Sequence, residues 1–505
     1  MTELDIAPNE KQYRRSRRAS RRQVQVLQKE FLEKVPKTNI WPALIWSLVV
    51  SVLSSANPLI VPFMSNLQTQ NMYAGMAMAA GQVPYGNFFG TSGVLYYLLN
   101  LVGHIGGTSI IMGILQFIAL LIAGLYFYKI IAYFSQSERL SISLSHWFYL
   151  FILSLGFGGL YAEIFALPFI LNSIWFLIRY VEHAVRDEAY ILYGINAAIS
   201  FLIYPKSLLI WFIAGVILLS FNMFHRQIAR GIYQLLAMKF GFLSILYVVG
   251  YYVFDAQILG SAIQQTFLYN LRFDFQSPRL IWVVAFVAGF VIFSGFLKNT
   301  IQTMLSFGQK KHTHLKVLFL LIFVVQLIFI MGSEVFQWSQ LLLLIPYGLI
   351  MAVIHLKTSD EDGEEKSAGY LRRQFFLPLV VCIGLLAQPV YTYLTGSDVI
   401  AERGTLARYI HEHSSSSDQI YAWDNSASLY LSSQRLSVAT IVTAEPYLNT
   451  KENRESLLFD LNKNEAKFIA INKNIPLLED LKTNLEVQYT PIKNMEHFVL
   501  YQRNE

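Results

Sequence analysis

The chain has 505 residues, 54% of them hydrophobic and only 14% charged, where a soluble domain carries about a quarter charged residues. Its formal charge is +6 and it has a single cysteine, Cys382. These figures exclude one ordinary water-soluble core, an intramolecular disulfide and a cysteine-built zinc site, and they point to a polytopic α-helical membrane protein.

Residues 1–39 form a basic leader, with ten Lys and Arg between Lys11 and Lys37. A basic run before a first apolar segment is topology information, drawn to the anionic cytoplasmic leaflet; it is not read here as a nucleic-acid footprint. The leader is too long and hydrophilic for a secretory signal peptide. A membrane-spanning helix needs about 20 mostly apolar residues. The sequence predicts eleven such segments within 40–395: 40–62, 107–133, 142–158, 160–178, 189–204, 207–224, 234–254, 279–297, 315–332, 338–356 and 375–395. Tight joins fall at Gly156, Gly158 and Gly159, and at Tyr204-Pro205-Lys206-Ser207.

Lys and Arg cluster in the leader and in the loops near 134–141, 179–188, 225–233, 298–314 and 357–374. The alternate loops hold only Lys206, Arg272 and Arg279 before residue 396. That bias predicts a cytoplasmic N-terminus and an extracytoplasmic C-terminal domain in a cell membrane; the lack of cysteine in that domain is compatible with a bacterial envelope. Two outward loops are long. Loop 64–106 has a helical stretch near Gln70–Ala80 and a short apolar helix over Val94–Val102. Loop 255–278 has another over Ile258–Leu271. All three suit the membrane interface. Residues 396–505 regain charge and alternate strand-like and helical runs, which predicts a small α/β domain. Strands are expected at Gln419–Trp423, Ser437–Val442, Lys467–Asn472, Leu485–Thr490 and His497–Gln502. Helices are expected at Val399–His413, Leu457–Asn462 and Ile475–Asn484.

The first long loop reads Gly81-Gln-Val-Pro-Tyr-Gly-Asn-Phe-Phe and then Gly93-Val-Leu-Tyr-Tyr-Leu-Leu. It resembles the polytopic glycosyltransferases of the GT-C fold, including bacterial relatives of the protein mannosyltransferases and of the aminoarabinose transferase. Their loop carries an acidic pair, an interfacial helix, G-x-x-P-Y-x-D-F-F and a P-L-Y-Y-L-like run. The glycine turn Gly158-Gly159-Leu160-Tyr161-Ala162-Glu163, and Asp418 to Asp424 followed by Ser433-Gln434-Arg435, are similar to further stretches of that family.

The resemblance implies transfer of a hexose-type sugar from a polyprenyl-phosphate donor to a cell-envelope acceptor: a polymer, a glycolipid or a protein. It implies a carboxylate base as well, since the acceptor hydroxyl must lose a proton as it attacks. Here the loop departs from the pattern. No Asp or Glu occurs between Lys37 and Glu138; the family's acid falls near Asn66, its D-F-F aspartate is Asn87, and its proline is Gly93. An amide orients a hydroxyl but does not take its proton near neutral pH.

Glu163, at the outer end of a predicted span, is the first candidate base; Asp255 comes next, with Asp274 and Glu334 behind it. Lys206, Arg272 and Arg279 are candidates for the donor phosphate, against the plainer roles of snorkelling and interfacial anchoring. Tyr85 and Asn87 are candidates for shaping the substrate site, and the Tyr96-Tyr97 pair is read first as interface-belt aromatics. His411 and His413 do not share a helix face, so no metal site is assigned; a need for a divalent metal stays open. Asp424 reads as a turn cap. Two other readings stand beside the transferase. One is a non-catalytic relative that binds lipid-linked glycan or supports a partner membrane enzyme. The other is a lipid or polymer transporter, which the lack of an internal repeat disfavours.

Overall fold

A computed structural model of the chain describes residues 24–276, 278–308, 312–356 and 375–504. The leader before residue 24 and the basic loop expected at 357–374 lie outside the described residues. Among the described residues, six helices are long and apolar enough to cross a membrane: Ile110–Ser135, Ala162–Val181, Pro205–Phe224, Ile228–Asp255, Thr313–Gly332 and Phe376–Thr395. Arg279–Phe293 and Phe296–Gly308 form a seventh path bent by 68°. Gly295, at φ 79°, makes that bend, because a left-handed residue costs glycine little.

Every predicted span contains a helix, but several of these helices are shorter than the roughly 20 residues that a straight crossing needs. Trp41–Val52 stops after 12 residues, ahead of Pro58 and Pro62, which offer no amide hydrogen to carry the ladder on. Glu138–Ser154 has 17 residues, Tyr190–Ile203 has 14, and 338–356 winds as a 3₁₀ turn before Leu344–Ile350.

In chain order, α1 is 24–34, α2 Trp41–Val52, α3 Asn66–Ala79, α4 Val94–Gly103, α5 Ile110–Ser135, α6 Glu138–Ser154, α7 Ala162–Val181, α8 Tyr190–Ile203, α9 Leu208–Phe224 and α10 Ile228–Asp255. The central helix is α7, 72% of whose apolar window is buried; α10, at 11%, is the least buried of the six. Outward-facing Phe240, Tyr247, Val248, Tyr251 and Phe254 on α10 suit a hydrocarbon solvent.

The C-terminal sheet has the order β1-β2-β4-β3, from Ile420–Trp423, Phe468–Asn472, Phe498–Arg503 and Tyr489–Asn494. β1 and β2 run parallel across the helix Lys451–Lys463, and the other pairs are antiparallel. Residues 437–442 form no strand. Ser437 makes a lone bridge to Ile420 and the chain turns away. Leu485 to Gln488 end a helix, Glu479–Gln488, before β3 starts. The helix Ser397–His413 follows Phe376–Thr395 after Gly396 alone. Asp424 is buried and accepts from Arg403 Nε at 2.6 Å, Asn472 Nδ2 at 2.9 Å and the Asn425 amide at 2.8 Å, a structural use of its charge.

This domain shares a core with the first long loop. Ser65 and Gln68 form a capping box at the start of α3, which satisfies two otherwise orphaned donors. Tyr73, Phe88 and Tyr97 of the loop pack in one cluster with Ile420, Tyr430 and Phe498. The Ser437 amide donates to the Tyr73 hydroxyl at 2.9 Å, the Ala427 amide to Thr69 Oγ1 at 3.0 Å, and the Phe89 amide to the Thr440 carbonyl at 2.7 Å.

Gly93 has a physical reason to replace the proline that the resemblance suggests. Its amide donates to the Ile203 carbonyl at 3.0 Å, and proline has no such hydrogen. A Cβ at this position would sit 2.0 Å from the Leu202 carbonyl oxygen. Gly93→Ala is expected to lower stability by about 1–3 kcal/mol, and Gly93→Pro by more, because it also removes the hydrogen bond. Thermal melts of the purified full chain check this; an unchanged melting temperature in both variants would show that α4 and α8 do not approach so closely.

Candidate functional site

The site is built at the N-terminus of α7. Before it, residues 155–161 hold only a short 3₁₀ turn, Gly156–Gly158, and Gly156, Phe157, Gly158 and Leu160 all have positive φ. Their carbonyls are taken up by side chains. Gln68 Nε2 donates to the Gly156 and Gly159 oxygens, each at 2.8 Å, and Gln116 to Gly158 at 2.6 Å. Asn71 and the Tyr96 hydroxyl both donate to Leu160 O at 2.7 Å. Irregular backbone between apolar helices persists only where protein satisfies it. The consequence is a fixed first turn of α7 carrying Glu163, where the helix dipole favours negative charge.

Glu163 is 3% exposed, and its Oε1 accepts from the Ser339 hydroxyl at 2.8 Å. It lines a small polar cavity with Asn71, Tyr204, Lys206, Tyr269, Asn270, Arg272, Glu334, Gln337, Gln340 and Tyr447. The cavity volume is about 30 Å³, room for a water or two. Lys206 Nζ donates to Ser333 Oγ at 3.2 Å, and the residue lines the same cavity as Glu163. Arg272 stands over the Tyr269 ring at 5.6 Å and is 3.8 Å from Glu452. Tyr269, Phe89 and Tyr447 form a triangle of rings, and the Tyr269 hydroxyl donates to Asn449 Oδ1 at 3.0 Å. The C-terminal domain therefore supplies part of the cavity wall.

Two larger spaces adjoin the cavity. An apolar groove of about 550 Å³ runs between α8, α9, α10 and 266–271, lined by Leu208, Trp211, Phe212, Leu235, Phe242 and Phe267 among others. Lys206 and Asn270 line both the groove and the polar cavity. On the other side, Leu67 and Gln337 separate the cavity from a third space of about 360 Å³ that includes Asn66, Arg279, Ser339, Gln388 and Glu445.

The structure thus brings Glu163, Lys206 and Arg272 together at one cavity and sets Asn66 and Arg279 at its neighbour. Asn66 opens α3; its amide donates to the Glu445 carbonyl at 2.6 Å and accepts from Gln70 at 2.9 Å. The remaining candidates lie outside these linings. Asp255 is the exposed last residue of α10. Asn87 is exposed and closes a turn by accepting the Val83 amide at 2.8 Å. Tyr85 is buried with φ 65°, its hydroxyl on the Ser92 carbonyl at 2.7 Å. His411 and His413 each bond a separate backbone carbonyl.

Sequence reasoning passed over Tyr204, Ser339, Gln337, Asn270 and Tyr447. Only Tyr204 had a signal, as a neighbour of Lys206 in the tight join.

Glu334 is the second carboxylate of the cavity. Burial holds its pKa above the ordinary carboxylate value, against an opposing pull from Arg272. A pKa raised on folding means the native state keeps the proton longer, so stability falls as pH rises from the unfolded value through the folded one. Glu334→Gln removes that loss. The variant is expected to melt slightly higher than the parent at neutral pH and at the same temperature below the carboxylate range. An equal offset at both pH values would show that the charge is not the cause.

Comparison with known proteins fits this geometry. A family described as the competence-induced protein Ccs4 N-terminal domain matches residues 28–397, and its Ccs4 C-terminal domain companion matches 400–504. No curated protein matched. Among solved structures, ArnT from Cupriavidus metallidurans bound to undecaprenyl phosphate superposes with a TM-score of 0.58 at 10% identity, covering 91% of this chain and 96% of that one. The apo form of the same protein gives 0.56 at 9% identity, with the same coverage. At such identities the likeness establishes a GT-C-like polytopic membrane fold.

Proposed function

The chain belongs to the Ccs4 family, and on that footing we propose that it is a membrane glycosyltransferase moving a sugar from a polyprenyl-phosphate donor to a cell-envelope acceptor. One observation carries the reading: the apolar groove and the polar cavity meet at Lys206 and Asn270. A lipid-linked sugar phosphate has that division of character. Its isoprenoid tail fits the groove, its phosphate fits Lys206 with Arg272 close by, and its sugar then faces Glu163. ArnT, which shares the fold, has been crystallised with undecaprenyl phosphate.

In the proposed reaction the acceptor oxygen attacks the anomeric carbon. The new C–O bond forms as the bond to the phosphate oxygen breaks, and polyprenyl phosphate leaves with its charge held by Lys206 and Arg272. Glu163 takes the acceptor proton, with Ser339 fixing the orientation of its carboxylate. Asn66 acts from the neighbouring space as an orienting amide. Since the C-terminal domain contributes Tyr447 to the cavity, chemistry takes place on that domain's side of the membrane. The Lys and Arg bias of the loops makes that side extracytoplasmic.

A second reading is a non-catalytic protein that binds lipid-linked glycan. The smallness of the polar cavity and the neutral Asn66 favour it.

Reconstituted full-length protein offered polyprenyl-phosphate sugars separates the two. Glu163→Gln is expected to keep donor binding and lose at least about a hundredfold in transfer rate. Lys206→Gln is expected to weaken donor binding about tenfold. Undiminished transfer by Glu163→Gln would remove the base assignment. Donor binding by the parent with no transfer to any envelope acceptor would favour the binding protein.

A further inference from the structure

A second polar pocket lies at the other end of α7. Arg179 is 16 residues beyond Glu163, some 24 Å along the axis at about 1.5 Å per residue. Together with Arg186, Tyr193, Asn172, Asn196 and Gln28, it lines a space of about 390 Å³ between α1, α7 and α8. Leu192, on the rim, is 67% exposed, so the pocket opens on the lateral, lipid-facing surface.

The pocket is positively charged and its arginines are incompletely paired: Arg179 Nη2 reaches the Ala184 carbonyl at 3.4 Å, while Asn196 Nδ2 is taken up by the Phe169 carbonyl and Ser173 Oγ, each at 2.8 Å. Among the described residues, neither Arg179 nor Arg186 has a carboxylate partner. Of the acids next to it in the chain, Asp187 accepts from Arg230 and Gln234, Glu182 accepts from the Tyr133 hydroxyl at 2.7 Å, and Glu188 is exposed. Arg179 Nε is buried with no hydrogen-bond partner. Tyr193 is 4% exposed, and its hydroxyl is buried without a partner too. Buried donors are nearly always satisfied, so unsatisfied ones on residues that line a cavity point to an absent acceptor. Two guanidinium groups with a hydroxyl and amides around them suit the several oxygens of a phosphate.

We propose that this pocket binds a phosphate group presented at the membrane interface, supplied by the headgroup of an anionic phospholipid. The apolar rim takes the first part of an acyl chain, while Arg179 and Arg186 hold the phosphate oxygens. Tyr193 donates to one of them. The site is separate from the proposed donor site and does not depend on it.

Native mass spectrometry of the full chain in detergent tests this, with titrations of phosphatidylglycerol, phosphatidylcholine and inorganic phosphate. Phosphatidylglycerol is expected to bind saturably and more tightly than phosphatidylcholine. Arg179→Gln and Arg186→Gln are each expected to weaken it about tenfold or more, and Tyr193→Phe between about twofold and tenfold. Lys29→Gln removes an exposed charge from α1 outside the pocket and is expected to change binding by less than about twofold. Inorganic phosphate binding with the same residue dependence, and no lipid preference, would keep the phosphate site but assign it to a free anion. Absence of both ligands, binding unmoved by Arg186→Gln and Tyr193→Phe, or an equal loss in Lys29→Gln would overturn the proposal. Should Arg179→Gln not fold, the Arg186 and Tyr193 variants decide alone.

Discussion

The arrangement rests on how residues 155–161 are held between α6 and α7. Four residues there adopt positive φ in succession or nearly so, two of them not glycine. Such a stretch exposes carbonyls that a helix would have bonded internally, and hydrocarbon offers them nothing. Gln68, Asn71, Tyr96 and Gln116 supply the donors. Three of these four come from the first long loop, between 60 and 90 residues or so upstream. The loop is therefore a structural part of the bundle, and the first turn of α7 is placed by it. Close approach is paid for in small residues at the same point: a Cβ on Gly159 would lie 2.6 Å from Ser55 Oγ.

Once α7 is fixed, the functional elements follow from its direction. Its first turn puts Glu163 beneath the loops and the C-terminal domain. Its buried middle packs against α5 and α8. Its last turn brings Arg179 to the far end of the bundle. The α8–α9 join then sets Lys206 opposite Glu163, with Pro205 fixing the backbone just before it. One helix and one hairpin thus organise a carboxylate, an ammonium and the mouth of an apolar groove.

Much of this was legible in the sequence, and what was not has a common cause. Apolar runs located the helices because lipid imposes length and composition on a span. The short elements escaped where local chemistry intervened: prolines after Val52, and a 3₁₀ start at Trp338. Ser437 to Val442 alternated like a strand, yet after one bridge its backbone groups turn to other partners, among them the Asp460 carboxylate bonding the Thr440 amide. Glu163 and Lys206 were visible because a charge at a span end is costly and rarely idle. Gln337 and Tyr447 on the cavity wall, and Ser339 bonded to Glu163, were not, since each arrives from over 170 residues away through tertiary packing alone. Asn87 and Tyr85 drew attention through motif position, but their side chains serve turns and loop backbone.

The missing acid of the first loop now has a physical explanation. Asn66 uses its amide hydrogen on the Glu445 carbonyl, in the C-terminal domain, while its oxygen receives Gln70. An aspartate in the same place would set a carboxylate oxygen against that carbonyl at about hydrogen-bond distance, with no proton between them. That hydrogen bond, one of several between the domain and the loop, is therefore incompatible with an ionised acid at position 66 in this side-chain orientation. A docked domain, in turn, is what brings Tyr447 to the cavity wall. On the proposed reading, a chain that closes its site this way needs its base elsewhere. In the first turn of α7 stands Glu163, with the Ser339 hydroxyl on its carboxylate and Lys206 on the wall of the same cavity.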